Sequence, residues 1–262
     1  MTSPGIQHSI SNLYVLCVLS GDVWFHVSKC STIHTDIQVT KRRIGYNQAM
    51  LEILTLTLGP VATNCYLIAD PETKEAVVID PAWDGHVILA AAQQRNWRIA
   101  HLWYTHAHFD HFGGAAGVAD GCNPLPMVAL HPDDYPLWRV KGGAPLFGIP
   151  LEDPGPEPTI DLKHGQILRL GSNQFEVRHA PGHTPGHVIF YCASEKVLFS
   201  GDVIFKGSIG RTDLPGGSYE TLMQSIREQV LTLPDDVRIL SGHMGATTVG
   251  AERRGNPFIK QD

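Results

Sequence analysis

Seven consecutive residues, Thr105-His106-Ala107-His108-Phe109-Asp110-His111, put three imidazoles and a carboxylate into one short segment. Neutral imidazole and carboxylate together suit Zn, Fe or Mn. With no thiolate among them, a closed structural zinc site is not the expected chemistry. In extended chain His106 and His108 share one face, whereas Asp110 and His111 leave the following turn in another direction, so one segment can feed two neighbouring ions. More ligand-type residues follow: His183 and His187 in Ala180-Pro-Gly-His-Thr-Pro-Gly-His187, Asp202 in Ser200-Gly-Asp202, and His243 in Ser241-Gly-His243. Two cations roughly 3.5 to 4 Å apart would lower the pKa of a shared water from about 15.7 toward about 7, supplying a nucleophile at neutral pH without Ser or Cys. A carbonyl oxygen leaning on the first ion would be stabilised as oxyanion charge develops. Asp110 is the candidate catalytic residue, orienting the nucleophile and managing its proton besides binding metal.

Each group sits where an element ends. Residues 98–104 read as a strand before the histidine cluster, and Phe112-Gly-Gly114 turns the chain into a helix starting at Ala115. Strand-like residues 174–178, 196–199 and 237–240 precede His183, Asp202 and His243, each with glycine beside the ligand, where the backbone must turn sharply next to a bulky ion. Earlier strands are expected at 51–58, 64–69 and 75–80. A helix is expected over 84–96 with Asp84 as its N-cap, and a second over 218–231 with Tyr219, Leu222, Met223, Ile226 and Val230 as a core-facing stripe. Residues 141–158, dense in Gly and Pro, read as a long irregular loop. Leu146, Phe147 and Trp138 could make it an apolar wall of the substrate cleft.

The ordered set Thr105-His-Ala-His-Phe-Asp-His111, Gly182-His-Thr-Pro-Gly-His187, Gly201-Asp202 and Gly207-Ser-Ile-Gly-Arg-Thr-Asp213 resembles the metallo-β-lactamase-fold superfamily over residues 50–262, and within it the glyoxalase II-like hydrolases. The resemblance implies an α/β fold, a four-layer αββα sandwich, with two divalent metal ions. Zn is the first expectation, Fe and Mn the alternatives. It implies His106, His108 and His183 on one metal, Asp110, His111 and His243 on the other, and Asp202 bridging them. Asp80 matches the family's early aspartate, which braces the metal loops, and His187 is expected to support ligands without being one. A carboxylate at 202, where common metallo-β-lactamases place cysteine, resembles the glyoxalase II branch. The expected activity is therefore hydrolysis of S-lactoylglutathione or a related hydroxyacyl thioester. Met244-Gly245 after the last histidine, and no sign of the additional helical domain that holds glutathione, resemble the short subgroup. Lys206 and Arg211 are the candidate substrate contacts beside Phe147, with Arg253 and Arg254 as further candidates for anions. The same scaffold leaves two alternatives: a mononuclear-iron persulfide dioxygenase using His106, His183 and Asp202, or a lactonase or weak β-lactamase.

Composition fits an enzyme of one large domain: 262 residues, 43% hydrophobic, 18% charged. A formal charge of -6 and no long basic run give no reason to expect nucleic acid, and no apolar run approaches the roughly 20 residues of a membrane span. The expected partner is a small-molecule thioester, and the oligomeric state is left open. Five cysteines without a Cys-x-x-Cys pair point to reduced thiols in a cytoplasm-like compartment, with Cys65 and Cys192 as small buried apolar groups. Residues 1–49 read as a poorly ordered amino-terminal extension without chemistry, a transit peptide being the alternative location signal.

Overall fold

Strand β4 (Thr63–Ala69) is buried at all seven positions, so both of its faces must be covered, and the two faces meet different partners. Cys65, Leu67 and Ala69 join a cluster with Ile88 and Ala92 of a helix, whereas Tyr66 and Ile68 join Phe175, Phe190 and Phe199 of a second sheet. Alternation along a strand thus places helix on one side and sheet on the other. The second sheet repeats the pattern. Its Ile189, Leu198 and Ile239 turn away from the first sheet and pack on Leu222, Met223, Ile226 and Val230 of another helix. Four layers follow, α-β-β-α. Aromatic side chains fill the middle: Trp103 lies 5.1 Å from Phe175 and 5.5 Å from Phe190, and Tyr66 lies 5.2 Å from Phe199. Each such side chain, when fully buried, contributes roughly 1.5–3 kcal/mol.

This computed structural model describes residues 15–19, 22–26 and 50–259. In the amino-terminal unit, β1 (Val15–Leu19) and β2 (Asp22–His26) pair antiparallel, Val15 opposite His26. The rest of the expected extension, 1–49, lies outside the described residues. In the second unit the first sheet runs β3 (Glu52–Leu58), β4, β5 (Glu75–Ile79), β6 (Arg98–Trp103), β7 (Met127–Leu130), β8 (Ile160–Asp161), antiparallel to β5 and parallel from there. The second sheet contains β9 (Ile167–Leu170), β10 (Asn173–His179), β11 (Val188–Cys192), β12 (Val197–Gly201), β15 (Arg238–Ser241) and β16 (Thr247–Thr248), with one parallel pair, β12 beside β15. A two-residue pair, β13 (Ile204–Phe205) and β14 (Ser208–Ile209), stands apart from both. The carboxyl ends of β5, β6, β10, β12 and β15 carry every candidate ligand and its brace, which is where loops on a rigid sheet can hold chemistry.

Local details differ from expectation in four places. Helix α1 (Gly85–Gln93) ends before Asn96, whose left-handed φ of 55° stops it, a conformation Asn tolerates. Asp84 precedes that helix but makes no side-chain cap, because its own φ is 48°. The helix Tyr219–Ser225 widens into a π turn at Ile226–Val230; the stripe is buried except Tyr219, 43% exposed. Residues 141–158 are not irregular throughout, since Lys141–Phe147 form 3-10 turns, broken at Gly142 and Gly143 by positive φ. Among the described residues no helix is long and apolar enough to cross a membrane.

Candidate metal centre

The first cluster begins where β6 ends. The Thr105 amide donates to Asp80 Oδ1 (2.7 Å) and its hydroxyl to Asp80 Oδ2 (2.7 Å). That hydroxyl's proton being committed, the His106 Nδ1 3.0 Å away must donate to it, leaving Nε2 as the lone-pair nitrogen. His183 is oriented the same way: Nδ1 donates to the Arg211 carbonyl at 2.7 Å, and the remaining Nε2 lies 2.8 Å from His108 Nδ1. His106, His108 and His183 each offer one nitrogen within 4.8 Å of the others.

Asp110, His111 and His243 make a second group of that kind. Helix α2 (Phe109–Phe112) is one turn long and supplies the first two. His111 Nδ1 donates to Asp80 Oδ2 at 2.9 Å, and Nε2 faces Asp110 Oδ2 and Asp202 Oδ1, each 3.4 Å away. His243 Nε2 lies 3.3 Å from Asp110 Oδ2 and 3.5 Å from Asp202 Oδ2; the latter is also 3.6 Å from His183 Nε2. The Asp202 carboxylate therefore stands between the two clusters, one oxygen toward His111 and the other toward His183 and His243. Its backbone amide donates to His187 Nε2 at 3.0 Å, so His187 holds the Asp202 loop from behind.

Electrostatics follow from burial and from which groups face carboxylates. His106 is pushed well below the usual imidazole range by burial and then by the neighbouring imidazoles, so it stays neutral and able to ligate. Burial would raise Asp202, yet His111 and His243 hold it well below the usual carboxylate range. Asp110 is likewise lowered to about 2, burial being outweighed by His111 and His243. Burial alone would lower His243, but its contacts with Asp110 and Asp202 raise it to about 9. Three buried polar atoms, His106 Nε2, His111 Nε2 and Asp202 Oδ1, meet no hydrogen-bond partner. Leaving such groups unpaired costs roughly 1–3 kcal/mol apiece, and all of them converge on one spot. The donor set, imidazoles plus carboxylates with oriented lone pairs, fits divalent cations of the Zn, Fe or Mn kind. Space is kept for them: at Gly242 a Cβ would collide with the Asp202 carboxylate and the His111 ring.

Residues with no ligand role hold the loops together. Asp134, fully buried, accepts from the Ala107 amide (2.9 Å), the Thr184 hydroxyl (2.8 Å) and the Gly186 amide (2.6 Å), tying the loop of His106 and His108 to that of His183 and His187. Thr63 donates to Asp110 Oδ2 at 2.8 Å, and Asn64 Nδ2 donates to the carbonyls of Ser241 (3.0 Å) and Met244 (2.9 Å), clamping the His243 loop. None of the three belongs to a ligand motif in the sequence. The available signal for Asp134 was an acidic pair directly after strand β7, the same strand-then-ligand pattern seen elsewhere. A further group, His131, Asp133 and His179, is a weaker candidate. Its two rings stack 4.3 Å apart at 3°, which sends their lone pairs along parallel rather than converging lines.

A cleft of about 210 Å³ opens over the clusters, reaching His108, Asp110, His183, Asp202 and His243, with Val61, Phe109, Phe147, Ile149 and Leu214 as its apolar lining. Of the expected wall, Phe147 takes part; Leu146 is exposed and Trp138 is buried in the helix-side core. Arg211 lines the cleft, but its Nε and Nη2 both donate to Asp213 (2.7 and 2.8 Å). Lys206 is exposed and is not part of the lining. Arg253 and Arg254 pair with Asp235. Cys65 and Cys192 are fully buried free thiols.

The profile of the Metallo-beta-lactamase superfamily matches residues 58–243. The chain is 38% identical over 209 residues to hydroxyacylglutathione hydrolase GloC of Haemophilus influenzae, covering 80% of this chain and 97% of that one. It is 35% identical over 209 residues to a probable metallo-hydrolase, YqgX, of Bacillus subtilis, covering 78% and 95%. Among solved structures it is similar to the B3 metallo-beta-lactamase BLEG-1, at TM-score 0.73 and 37% identity, covering 80% of this chain and 100% of the other. A second structure, of a di-iron-bound protein, has TM-score 0.71 and 39% identity and covers 78% and 99%.

Proposed function

The chain belongs to the metallo-beta-lactamase superfamily, and from that premise we propose that it is a dinuclear metal-dependent hydrolase of thioesters, acting on S-lactoylglutathione or a related hydroxyacyl thioester. The single observation that carries the dinuclear reading is the placement of Asp202, whose two oxygens face separate ligand clusters beneath one open cleft. His106, His108 and His183 would hold one ion, Asp110, His111 and His243 the other, and Asp202 both. When bound, such ions supply a nucleophilic water at neutral pH and polarise a carbonyl oxygen. Zn is the first candidate, and the di-iron-bound relative keeps iron beside it.

The protein's own groups do the rest. Asp110 takes Thr63, His111 and His243 through one oxygen, Oδ2, which leaves Oδ1 to orient the attacking water and accept its proton. Asp80 fixes the tautomers of His106 and His111 through Thr105 and directly, so their lone pairs are aimed before substrate arrives. The apolar lining shields one side of the cleft from water, which strengthens electrostatic contacts within it. A thiolate leaves without strong acid catalysis because thiol pKa values lie near about 8.5. Support for the thioester itself comes from the similarity to a hydroxyacylglutathione hydrolase.

The test pairs chemistry with metal content. His183→Ala and Asp202→Asn should each reduce thioester turnover by at least about a hundredfold and lower bound metal, with the circular dichroism of the fold retained. Wild-type turnover in a variant shown to have lost metal would overturn the mechanism. A stoichiometry of one iron, with oxygen consumed on glutathione persulfide, would replace it by the dioxygenase. Hydrolysis of a β-lactam is the second reading, favoured by the similarity to BLEG-1, and nitrocefin turnover exceeding thioester turnover would select it.

A further inference from the structure

The cleft wall comes from four separate stretches of chain: Val61 from the turn between β3 and β4, Phe109 from the start of α2, Phe147 and Ile149 from the end of the 3-10 segment, and Leu214 from the loop after β14. The Phe109 and Phe147 rings lie 5.6 Å apart, making a continuous aromatic surface from the metal loop to the rim. The wall is braced. Gly142, at φ 60°, packs so tightly on the metal loop that a Cβ there would collide with the Phe109 amide and the Ala107 carbonyl. Phe147 itself stands half-exposed at the rim, and a backbone fixed beneath it lowers the cost of ordering the wall around a ligand.

Charge in the cleft points the same way. The Arg211 guanidinium is engaged bidentately by Asp213, at 2.7 and 2.8 Å. Asp213 thereby neutralises the guanidinium, so the exposed pair offers a substrate carboxylate little net positive charge. A volume of about 210 Å³ is below the roughly 300 Å³ at which drug-sized ligand sites begin, so a compact group fills it while the remainder of the substrate stays in solvent.

Resting on the thioester hydrolase reading, we propose that this cleft recognises its substrate by the compact hydrocarbon part of the acyl group next to the thioester, with Phe147, Leu214 and Val61 as the specificity-determining residues, and that the charges of the thiol carrier contribute little to affinity.

Binding of non-hydrolysable thioethers to the full-length, metal-loaded protein tests this apart from turnover. S-methylglutathione and S-hexylglutathione share every charge and differ only in hydrocarbon. The hexyl compound should bind at least about tenfold more tightly, and Phe147→Ala and, independently, Leu214→Ala should each remove most of that difference. Raising NaCl from about 50 to about 500 mM should leave the hexyl affinity within about twofold, since screening weakens only charge-based recognition. Equal binding of the two thioethers, or affinity that collapses with salt, would overturn the proposal. Thioester turnover is then measured separately, 2-hydroxyhexanoyl against lactoyl on glutathione. A higher kcat/KM for 2-hydroxyhexanoyl, lowered selectively by Phe147→Ala, supports the proposal, and a preference for lactoyl unchanged by that substitution counts against it. If the hexyl thioether binds as expected while no thioester is cleaved, the thioesterase reading fails and the apolar recognition stands.

Discussion

Asp134 illustrates how much of this centre is built by residues that touch no ligand position from the metal side. Three donors from two loops converge on its carboxylate. Asp134→Ala would leave two amides and a hydroxyl buried and unpaired, so metal affinity should fall by about 10- to 100-fold, with Asp134→Asn intermediate because one amide oxygen still accepts. Competition with a chelator reads this directly, and unchanged affinity in Asp134→Ala would show that the two loops are held by something else. His243 supplies a pH test. In the metal-free protein its pKa rises to about 9, against burial, through Asp110 and Asp202. A histidine whose folded pKa is raised adds stability that is complete below its unfolded pKa of about 6.5 and lost as pH climbs through about 9. The metal-free protein should therefore resist urea better at pH 7 than at pH 10. Metal must displace that proton, so uptake should weaken by up to tenfold per pH unit below about 9, with measurable proton release; uptake independent of pH from 6 to 9 would contradict it.

At the scale of elements, the second long helix acts on the site through one close approach. Ser218 begins the helix Tyr219–Ser225 by accepting from the Thr221 amide at 3.3 Å, while its own amide donates to the Gly182 carbonyl at 2.8 Å. Gly182, at φ 129°, packs where a Cβ would strike the Leu222 backbone, so helix and histidine loop are in contact. Removing the cap alone should be a stability change. Ser218→Ala is expected to cost about 1 kcal/mol in urea unfolding of the metal-free protein, with metal stoichiometry unaltered. A loss of metal from this variant would mean that the helix start positions His183 through more than packing. The 3-10 segment shows the opposite arrangement, in which a Gly-rich stretch is pinned on the metal loop and presents Phe147 to the cleft.

For the whole molecule, both six-stranded sheets, the ligand clusters and the cleft all lie after Met50. We propose that residues 50–262 are a self-sufficient hydrolase domain. A protein beginning at Met50 should fold, take up metal and keep most activity, because the core that positions the site is supplied by the two sheets and their flanking helices. Thermal unfolding and elemental analysis of the shortened chain decide it; insolubility, or joint loss of metal and activity, would place the extension within the fold.

Residue type, spacing and order alone pointed to imidazole and carboxylate ligands at strand ends, because ligand chemistry and strand periodicity are local properties. The same held for most strands and for the core stripe from Leu222 to Val230, whose spacing is written in the chain. Which oxygen of Asp202 faces which histidine is a tertiary fact, as is the bond from Asp134 to Gly186 across 52 positions. Arg211 and Lys206 look equivalent as isolated cations; folding gives one a bidentate carboxylate partner at the cleft and leaves the other exposed outside its lining. Helix ends depend on tertiary structure for a related reason: Asp84 and Asn96 have the composition of caps and stops, but their left-handed backbone decides what they do. Long-range hydrogen bonds and packing select one arrangement from several that local sequence permits, and at this centre that selection aims the lone pairs.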